Sequence, residues 1–545
     1  MAALLLTTAS MAAPPPPHMM DDMLRDGGLL RYLDSYAQAR TRGVDAPSPL
    51  YVDRVPFGPR GSISAGRDTT EMNVLIVLVD FSDNPAQTEA AYFDSMGYAS
   101  DTLSLASFYY ESSMGQLDIV TVNYPSETGW NRAPETYAYY VDDNYGWGDY
   151  PQNSQGLVED VCELVDPLVD FSDYDNDQDG YVDGVNVIYA GTFNGTPQSI
   201  WPHMWCLPGS GVEFDGVNVY AFSVQDAYDN SPGDKSAATI CHEFGHVMGL
   251  PDFYDYDYDS HGIGAWGVMS YGLYNGGSWS PAHPSAWSKI ELGFIDPVNV
   301  TSAATYQLPP VETSGTVYRL WTQGQGGNQY FLVANRRPIG YDAALPGHGV
   351  LIWHVDDNMS SNDNQWYPGH TSSGHYRLAL EQADGLWQLE KYTSSGDPGD
   401  PYPGSSGNPF FHHWSTPDSD DYLFDHTSVY VGPIPETADT VEVYMDVSYT
   451  GVEDAAGQTG GLLTLPGSNP AVGAVAIQLN LDSPARTVVQ VLDLAGRVVA
   501  TPQSGPLAAG THQTVWDAKS APVGTYLVRA RSGSTQETAR LVLLR

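Results

Sequence analysis

Between Cys241 and Asp252 the chain reads CHEFGHVMGLPD, and two of its histidines, His242 and His246, stand four residues apart. On a helix that spacing puts both imidazoles on one face, one turn apart, where both can reach a single metal ion. Glu243, next to the first histidine, can reach a water on that ion rather than the ion itself, the position of a general base. A bare HExxH occurs by accident on ordinary helices, but this one is extended. Gly249 and Pro251 are residue types that end a helix and turn the chain. Asp252 then falls ten residues after His242, where a carboxylate can return as the third protein ligand. The ion expected from two imidazoles and one carboxylate is Zn2+.

The competing third ligand is a Glu from a following helix, as in thermolysin-like enzymes; the first Glu available is Glu291. Asp252 is preferred because a second segment, GAWGVMSYG at 264–272, resembles the Met-turn that lies beneath the zinc of metzincins. In that reading Met269 packs under the ligand histidines as a structural residue. Tyr271 could reach the metal or the oxyanion of a tetrahedral intermediate, although a Tyr in a Gly-rich turn is usually a packing residue.

The elements needed to hold these residues are legible around them. VLIVLVD at 74–80 is a continuous apolar run of strand length, and GVNVIYAG at 184–191 is another, so both read as buried central strands. Leu157, Val161 and Leu164 recur at helical spacing within 154–168. A mixed α/β catalytic domain is therefore expected over 70–300. From 301 to 449 helical periodicity fades into short alternating runs between Gly, Pro, Asp and Ser clusters, an antiparallel β-domain. Small residues at 450–468 mark a linker. Alternating runs at sandwich spacing from 469 to 545 predict an Ig-like β-sandwich.

At the other end, Met1 to Ala13 has the apolar core and small-residue end of a secretory signal without its basic start, read as a truncated signal or a flexible Ala-rich end. Residues 14–69 read as a prosegment, with a proline run and a helix from Met19 to Arg42 whose Leu29, Leu30, Leu33 and Tyr36 follow helical spacing. Asp45 is a candidate to occupy the metal before activation.

The chain is acidic, with 66 Asp and Glu against 22 Lys and Arg and a formal net charge of −44, which disfavours nucleic acid and anionic membranes as partners. Nowhere does an apolar run reach the roughly 18–20 residues that span a bilayer. Three cysteines, Cys162, Cys206 and Cys241, cannot form a disulfide framework, although one bridge is open to them. Part of the acidity has a specific reading. Asp175, Asp177, Asp179, Gly180 and Asp183 follow the first positions of a calcium loop, with Asn186 where a bidentate Glu would stand, so bound Ca2+ is expected over a merely solvated turn. Asp397 with Asp400, and Asp356 with Asp357, are weaker candidates that plain Asp-Gly-Pro turns explain equally well.

Taken together, the motif and its surroundings resemble the immune inhibitor A family of secreted zinc metallopeptidases, whose pattern is HExxHxxGxxD. The resemblance includes VLIVLVDFSDNP at 74–85, FYYESSMGQLDI at 108–119, DYDNDQDGYVDGVNVIYAG at 173–191, SIWPHMW at 199–205, LPGHGVLIWHVDD at 345–357 and EQADG at 381–385. It implies a metzincin-like zincin fold, Asp252 as third ligand, and cleavage of extracellular protein or peptide substrates by a water that Glu243 deprotonates. The tail is similar to the C-terminal sorting domains of bacterial type IX secretion, which share an Ig-like sandwich with flagellar hook-capping proteins, on VLDLAGRVV at 491–499, LAAGTHQTVWDA at 507–518 and VGTYLVRARSG at 523–533. That implies passage through secretion machinery to the cell surface or medium. A monomer is favoured. The reading from a different class is an extracellular adhesion protein on an inactive peptidase scaffold, but neither the base nor a ligand is missing.

Overall fold

A computed structural model of the chain describes residues 13–41, 69–370, 374–435, 439–449, 462–465, 471–481, 483–493, 497–519, 521–532 and 535–544. Asp45 and residues 1–12 of the signal-like segment lie outside the described residues. The chain divides into two compact units, 1–449 and 450–545.

The apolar run at the start of the first unit becomes the strand Leu75–Asp80, buried along its whole length. It lies in a five-stranded sheet whose order is Trp130–Arg132, Leu75–Asp80, Val185–Tyr189, Ala221–Asp226 and His203–Cys206. The first four strands are parallel, and His203–Cys206 is an antiparallel edge. Because side chains alternate across a strand, Val74, Ile76 and Leu78 enter one core while Leu75, Val77 and Val79 enter another. The first core holds Phe244 of the motif helix, Trp266 and Met269. The second holds Leu157 and Val161 of the helix Ser154–Val165, with Trp147, Trp201 and Tyr254.

Residues 301–449 form two antiparallel-rich sheets, one centred on Gln329–Arg336 and Gly349–Asp356, the other on Ala304–Leu308 and Val441–Asp446. They were expected as a separate domain. Instead Leu332, Trp353 and Val355 sit in the same core as Phe244 and Met269, so the β-region backs the motif helix directly.

The expected prosegment helix is two helices, Pro17–Asp26 and Gly28–Thr41, broken at Gly27, whose φ of 81° is left-handed. Tyr32 and Tyr36 are buried in the second core, whereas Leu30 is 75% exposed. Cys162, Cys206 and Cys241 are all buried, and no two of them form a disulfide. In the second unit two sheets, one containing 463–464, 474–481 and 510–517 and the other 471–472, 535–544, 524–532, 485–493 and 498–507, enclose Ile477, Val489, Val491 and Val528. No helix of the described residues is long and apolar enough to cross a membrane.

Candidate metal centre

The motif forms the helix Ala238–Val247, and its C-terminus is where the sequence places its stop residues. Gly249 adopts a left-handed φ of 90°, its N–H donates to His246 C=O at 2.9 Å, and Leu250 N–H donates back to Gly245 C=O at 3.0 Å. The chain then reverses through Pro251 and returns Asp252 to the histidines. His242 Nε2 and His246 Nε2 lie 3.2 Å apart, and each is 3.3 Å from Asp252 Oδ1. All three side chains are buried.

The tautomers of the two histidines are set by their surroundings. His242 Nδ1 is 2.8 Å from Val268 C=O and His246 Nδ1 is 2.7 Å from Leu250 C=O. A carbonyl only accepts, so both Nδ1 atoms carry hydrogens and both Nε2 atoms present lone pairs. Burial also pushes the His246 pKa down, which favours the neutral ring. Asp252 Oδ1, buried, has no hydrogen-bond donor of its own. With the rings neutral, three lone-pair atoms converge. Ligands about 2.0–2.2 Å from a tetrahedral zinc are about 3.4 Å from one another, so the observed triangle fits that ion.

Glu243, fully buried, stands beside the first ligand. Its Oε1 accepts the backbone N–H of Ala13 at 3.2 Å. Trp201 Nε1–H donates to Ala13 C=O at 3.0 Å, and Tyr274 Oη–H donates to Pro14 C=O. The segment ahead of the first helix therefore lies against Glu243.

The turn expected beneath the site lies against the ligand helix. A Cβ on Gly245 would fall 2.6 Å from Met269 Sδ, so the thioether is pressed onto the helix between Glu243 and His246. The carbonyls of Val268 and Met269 hold His242 and Phe253 N–H respectively. The ring of Tyr271 packs edge-on against His261 at 5.4 Å and Tyr254 at 6.3 Å in the second core, and its buried hydroxyl has no hydrogen-bond partner among the described residues. The tyrosine beside the base is Tyr274, which the sequence reading missed. Burial, then the charges of Asp229, Asp226 and Glu243, raise its pKa well above the ordinary phenol value and keep it a donor. Glu291, the rival ligand, ends the helix Ala286–Glu291, where its charge acts on Tyr330, and does not join the triangle.

Of the calcium-loop residues, Asp175, Asp177 and Asp183 bring one oxygen each within 4.8 Å of one another. Asp179 is outside that group and accepts Tyr181 N–H at 2.9 Å. Asn186 is buried in the sheet, where it donates to Leu75 C=O and accepts from Ser223, so it is not a ligand of the loop. Burial raises the Asp183 pKa to about 6. Asp356 and Asp357 are engaged by protein donors, His375 Nε2 at 2.9 Å and Trp287 Nε1 at 3.2 Å.

Residues 88–296, which include the whole triangle, match the family Immune inhibitor A peptidase M6, catalytic domain. The chain carries an immune inhibitor A peptidase M6 catalytic domain. Two curated relatives are similar to part of the chain. Immune inhibitor A of Bacillus thuringiensis subsp. alesti is 27% identical over 278 residues, 42% of this chain and 39% of that protein. Pre-pro-metalloprotease PrtV of Vibrio cholerae serotype O1 is 27% identical over 283 residues, 42% of this chain and 30% of that protein. The aligned part of the chain thus spans about two fifths or less of these relatives. Residues 468–536 match the FlgD Ig-like domain. A solved structure of PorZ, a surface component of the type-IX secretion system of Porphyromonas gingivalis, aligns at 13% identity over 40% of this chain and 21% of that one, with a TM-score of 0.13, which carries no argument about fold.

Proposed function

We propose that the M6 domain is a zinc endopeptidase of metzincin-like design, acting on extracellular proteins or peptides. The observation that carries this is the triangle of His242 Nε2, His246 Nε2 and Asp252 Oδ1, buried and with 3.2–3.3 Å sides. The names and family of its relatives support the same class.

When bound there, zinc supplies Lewis-acid polarisation of a scissile carbonyl and of the attacking water. The remaining work falls to the chain's own side chains. Glu243 takes the proton of the attacking water on its carboxylate and passes it to the leaving amine. Tyr274 Oη donates to the oxygen on which charge develops. Trp201 Nε1 and the antiparallel edge strand His203–Cys206 orient an extended substrate backbone. The resident segment supports these roles, because Ala13 and Pro14 present peptide groups to Glu243, Trp201 and Tyr274 in just this manner. It also supports latency: while Ala13 occupies Glu243, a substrate peptide cannot. Calcium in the Asp175, Asp177 and Asp183 loop, and export through the FlgD-like module, complete the proposal.

Hydrolysis of fluorescent casein by purified protein freed of residues 1–69 tests it. Activity is expected to vanish with a zinc chelator, return with zinc, and fall by at least about 10³-fold in Glu243→Gln with zinc content unchanged. Full activity in chelator, or in Glu243→Gln, refutes the mechanism; a protein that binds zinc and never cleaves supports the adhesion reading.

A further inference from the structure

A second convergence of carboxylates lies in the β-region. Asp384, Asp397 and Asp400 bring one oxygen each within 4.8 Å of one another. Asp384 Oδ1 accepts Leu386 N–H at 2.9 Å, and Asp397 Oδ1 accepts Gly399 N–H at 2.6 Å. Asp400 Oδ2 takes two donors, Trp266 Nε1–H at 2.9 Å and Asp397 N–H at 3.0 Å.

Apart from the clustering, Asp400 is itself incomplete. It is 1% exposed, and its Oδ1 has neither solvent nor a hydrogen-bond donor. Leaving an oxygen of a buried carboxylate unsatisfied costs several kcal/mol unless a cation or a proton answers it. Among the described residues no cation answers it. Lys391 acts on Asp384, but its Nζ is turned to Leu386 C=O, and the neighbouring charges that act on Asp400 are those of Asp397 and Asp384. With burial they raise the Asp400 pKa to about 7. The space between the carboxylates is kept by Gly399, where a Cβ would fall 2.6 Å from Asp384 Oδ2 and 2.9 Å from Asp397 Oδ1.

We infer that Asp384, Asp397 and Asp400 form a binding site for a hard divalent cation of the calcium class. Three anionic oxygens without nitrogen or sulfur select a hard ion, and an irregular loop suits calcium better than the strict octahedron of magnesium. The site shares no residue with the zinc triangle or the Asp175 loop. Its place in the fold gives it a task. The loop that carries it also accepts Ala265 N–H on Ser395 C=O at 2.7 Å and His261 N–H on Leu389 C=O at 2.9 Å, while Asp400 holds Trp266. Those three donors belong to the segment that leads into Val268 and Met269, which support the ligand helix. The cation locks the loop, and the loop locks the turn beneath the catalytic metal.

Two measurements on the full chain test this. Crystals of the wild-type protein soaked in Tb3+ should show an anomalous peak bridging the three aspartates; no peak there overturns the inference without recourse to any variant. In calcium titration calorimetry of EGTA-treated protein, Asp384→Asn/Asp397→Asn should bind one equivalent fewer than wild type, while Asp177→Asn should not affect occupancy at Asp400 in the Tb3+ soak. An unchanged stoichiometry in the double variant overturns it. Hydrogen exchange supplies the link to the turn: peptides covering 261–269 should exchange on the order of 10-fold faster after calcium removal in wild type, and identically with or without calcium in the double variant. Exchange in wild type that ignores calcium refutes the coupling.

Discussion

Gly245 lies on the motif helix between Glu243, the proposed base, and His246, a proposed ligand, where the turn presses against it. In Gly245→Ala the new methyl would stand 2.6 Å from Met269 Sδ, 3.2 Å from Met269 Cε and 3.2 Å from Tyr109 Oη. Ordinary contact begins near 3.5 Å, so helix and thioether must part by about 0.9 Å. Two effects on stability oppose each other. Ala in a helix interior gains roughly 0.5–1 kcal/mol over Gly, while overpacking costs about 1–3 kcal/mol. The net loss is then only about 0–2.5 kcal/mol. The rate is another matter, because a displacement near 1 Å of positioning groups costs on the order of 10²-fold. The expected variant is therefore nearly as stable as wild type, retains zinc and hydrolyses casein about 10²-fold more slowly. Met269→Ala removes the atoms in the way, so Gly245→Ala/Met269→Ala should be faster than the product of the two single effects predicts, a coupling read from a double-mutant cycle. Gly245→Ala with wild-type turnover, or strict additivity in the cycle, refutes the claim that Met269 sets the height of the ligand helix.

Tyr274→Phe should lower kcat by about 10²–10³-fold with little change in KM, whereas Tyr271→Phe should leave kcat within a few-fold; the reverse order in steady-state assays would restore Tyr271 to the site. The full chain should be latent and a chain lacking residues 1–69 active, and addition of a synthetic 13–41 segment in trans should inhibit the latter competitively; noncompetitive or absent inhibition excludes blocking at Glu243. His203 is buried, with Nδ1–H donating to Trp201 C=O at 2.5 Å and Ser154 Oγ 2.8 Å from Nε2, and burial lowers its pKa from 6.5 to about 4. Between those values the unfolded chain binds the proton and the folded chain does not, so this histidine's contribution is present above pH about 6.5 and lost as pH falls toward 4, about 3 kcal/mol in all. His203→Asn should remove that part of the acid slope in thermal melts from pH 7 to 4; an unchanged slope assigns it to other groups.

The motif was readable because each of its parts obeys a local rule. Spacing of four unites His242 and His246 on any helix, and Gly249 ends that helix with a left-handed residue whatever surrounds it. Once the helix ends there, Asp252 has few places to go. Rules of that kind did not extend to Tyr271 and Tyr274. Both lie in a short 3-10 segment, Tyr271–Ser278, whose backbone breaks at Asn275, Gly276 and Gly277. Which tyrosine faces Glu243 is decided by the packing of Tyr271 against His261 and Tyr254, a tertiary fact with no period in the sequence. The shared core across residue 300 was hidden for a similar reason. Alternation identified the strands around Leu332 and Val355, but alternation cannot say that the other surface they bury is the motif helix.

The proline run was read as part of a prosegment, and its chemistry bears on how it can lie at the site. Pro14, Pro15 and Pro16 have no N–H, so the run cannot add to a sheet edge as a strand and can only offer carbonyls. The contacts made by Ala13 and Pro14 respect that limit: two carbonyls accept, from Trp201 and Tyr274, and the single N–H contact, to Glu243, comes from Ala13, the last residue before the run. A segment with this composition can lie in a peptide-binding cleft and occupy its base without offering the continuous N–H and C=O ladder by which an edge strand such as His203–Cys206 would align a substrate. The same residues that make 14–17 look structureless in the sequence make it suited to fill the site without being read as a substrate.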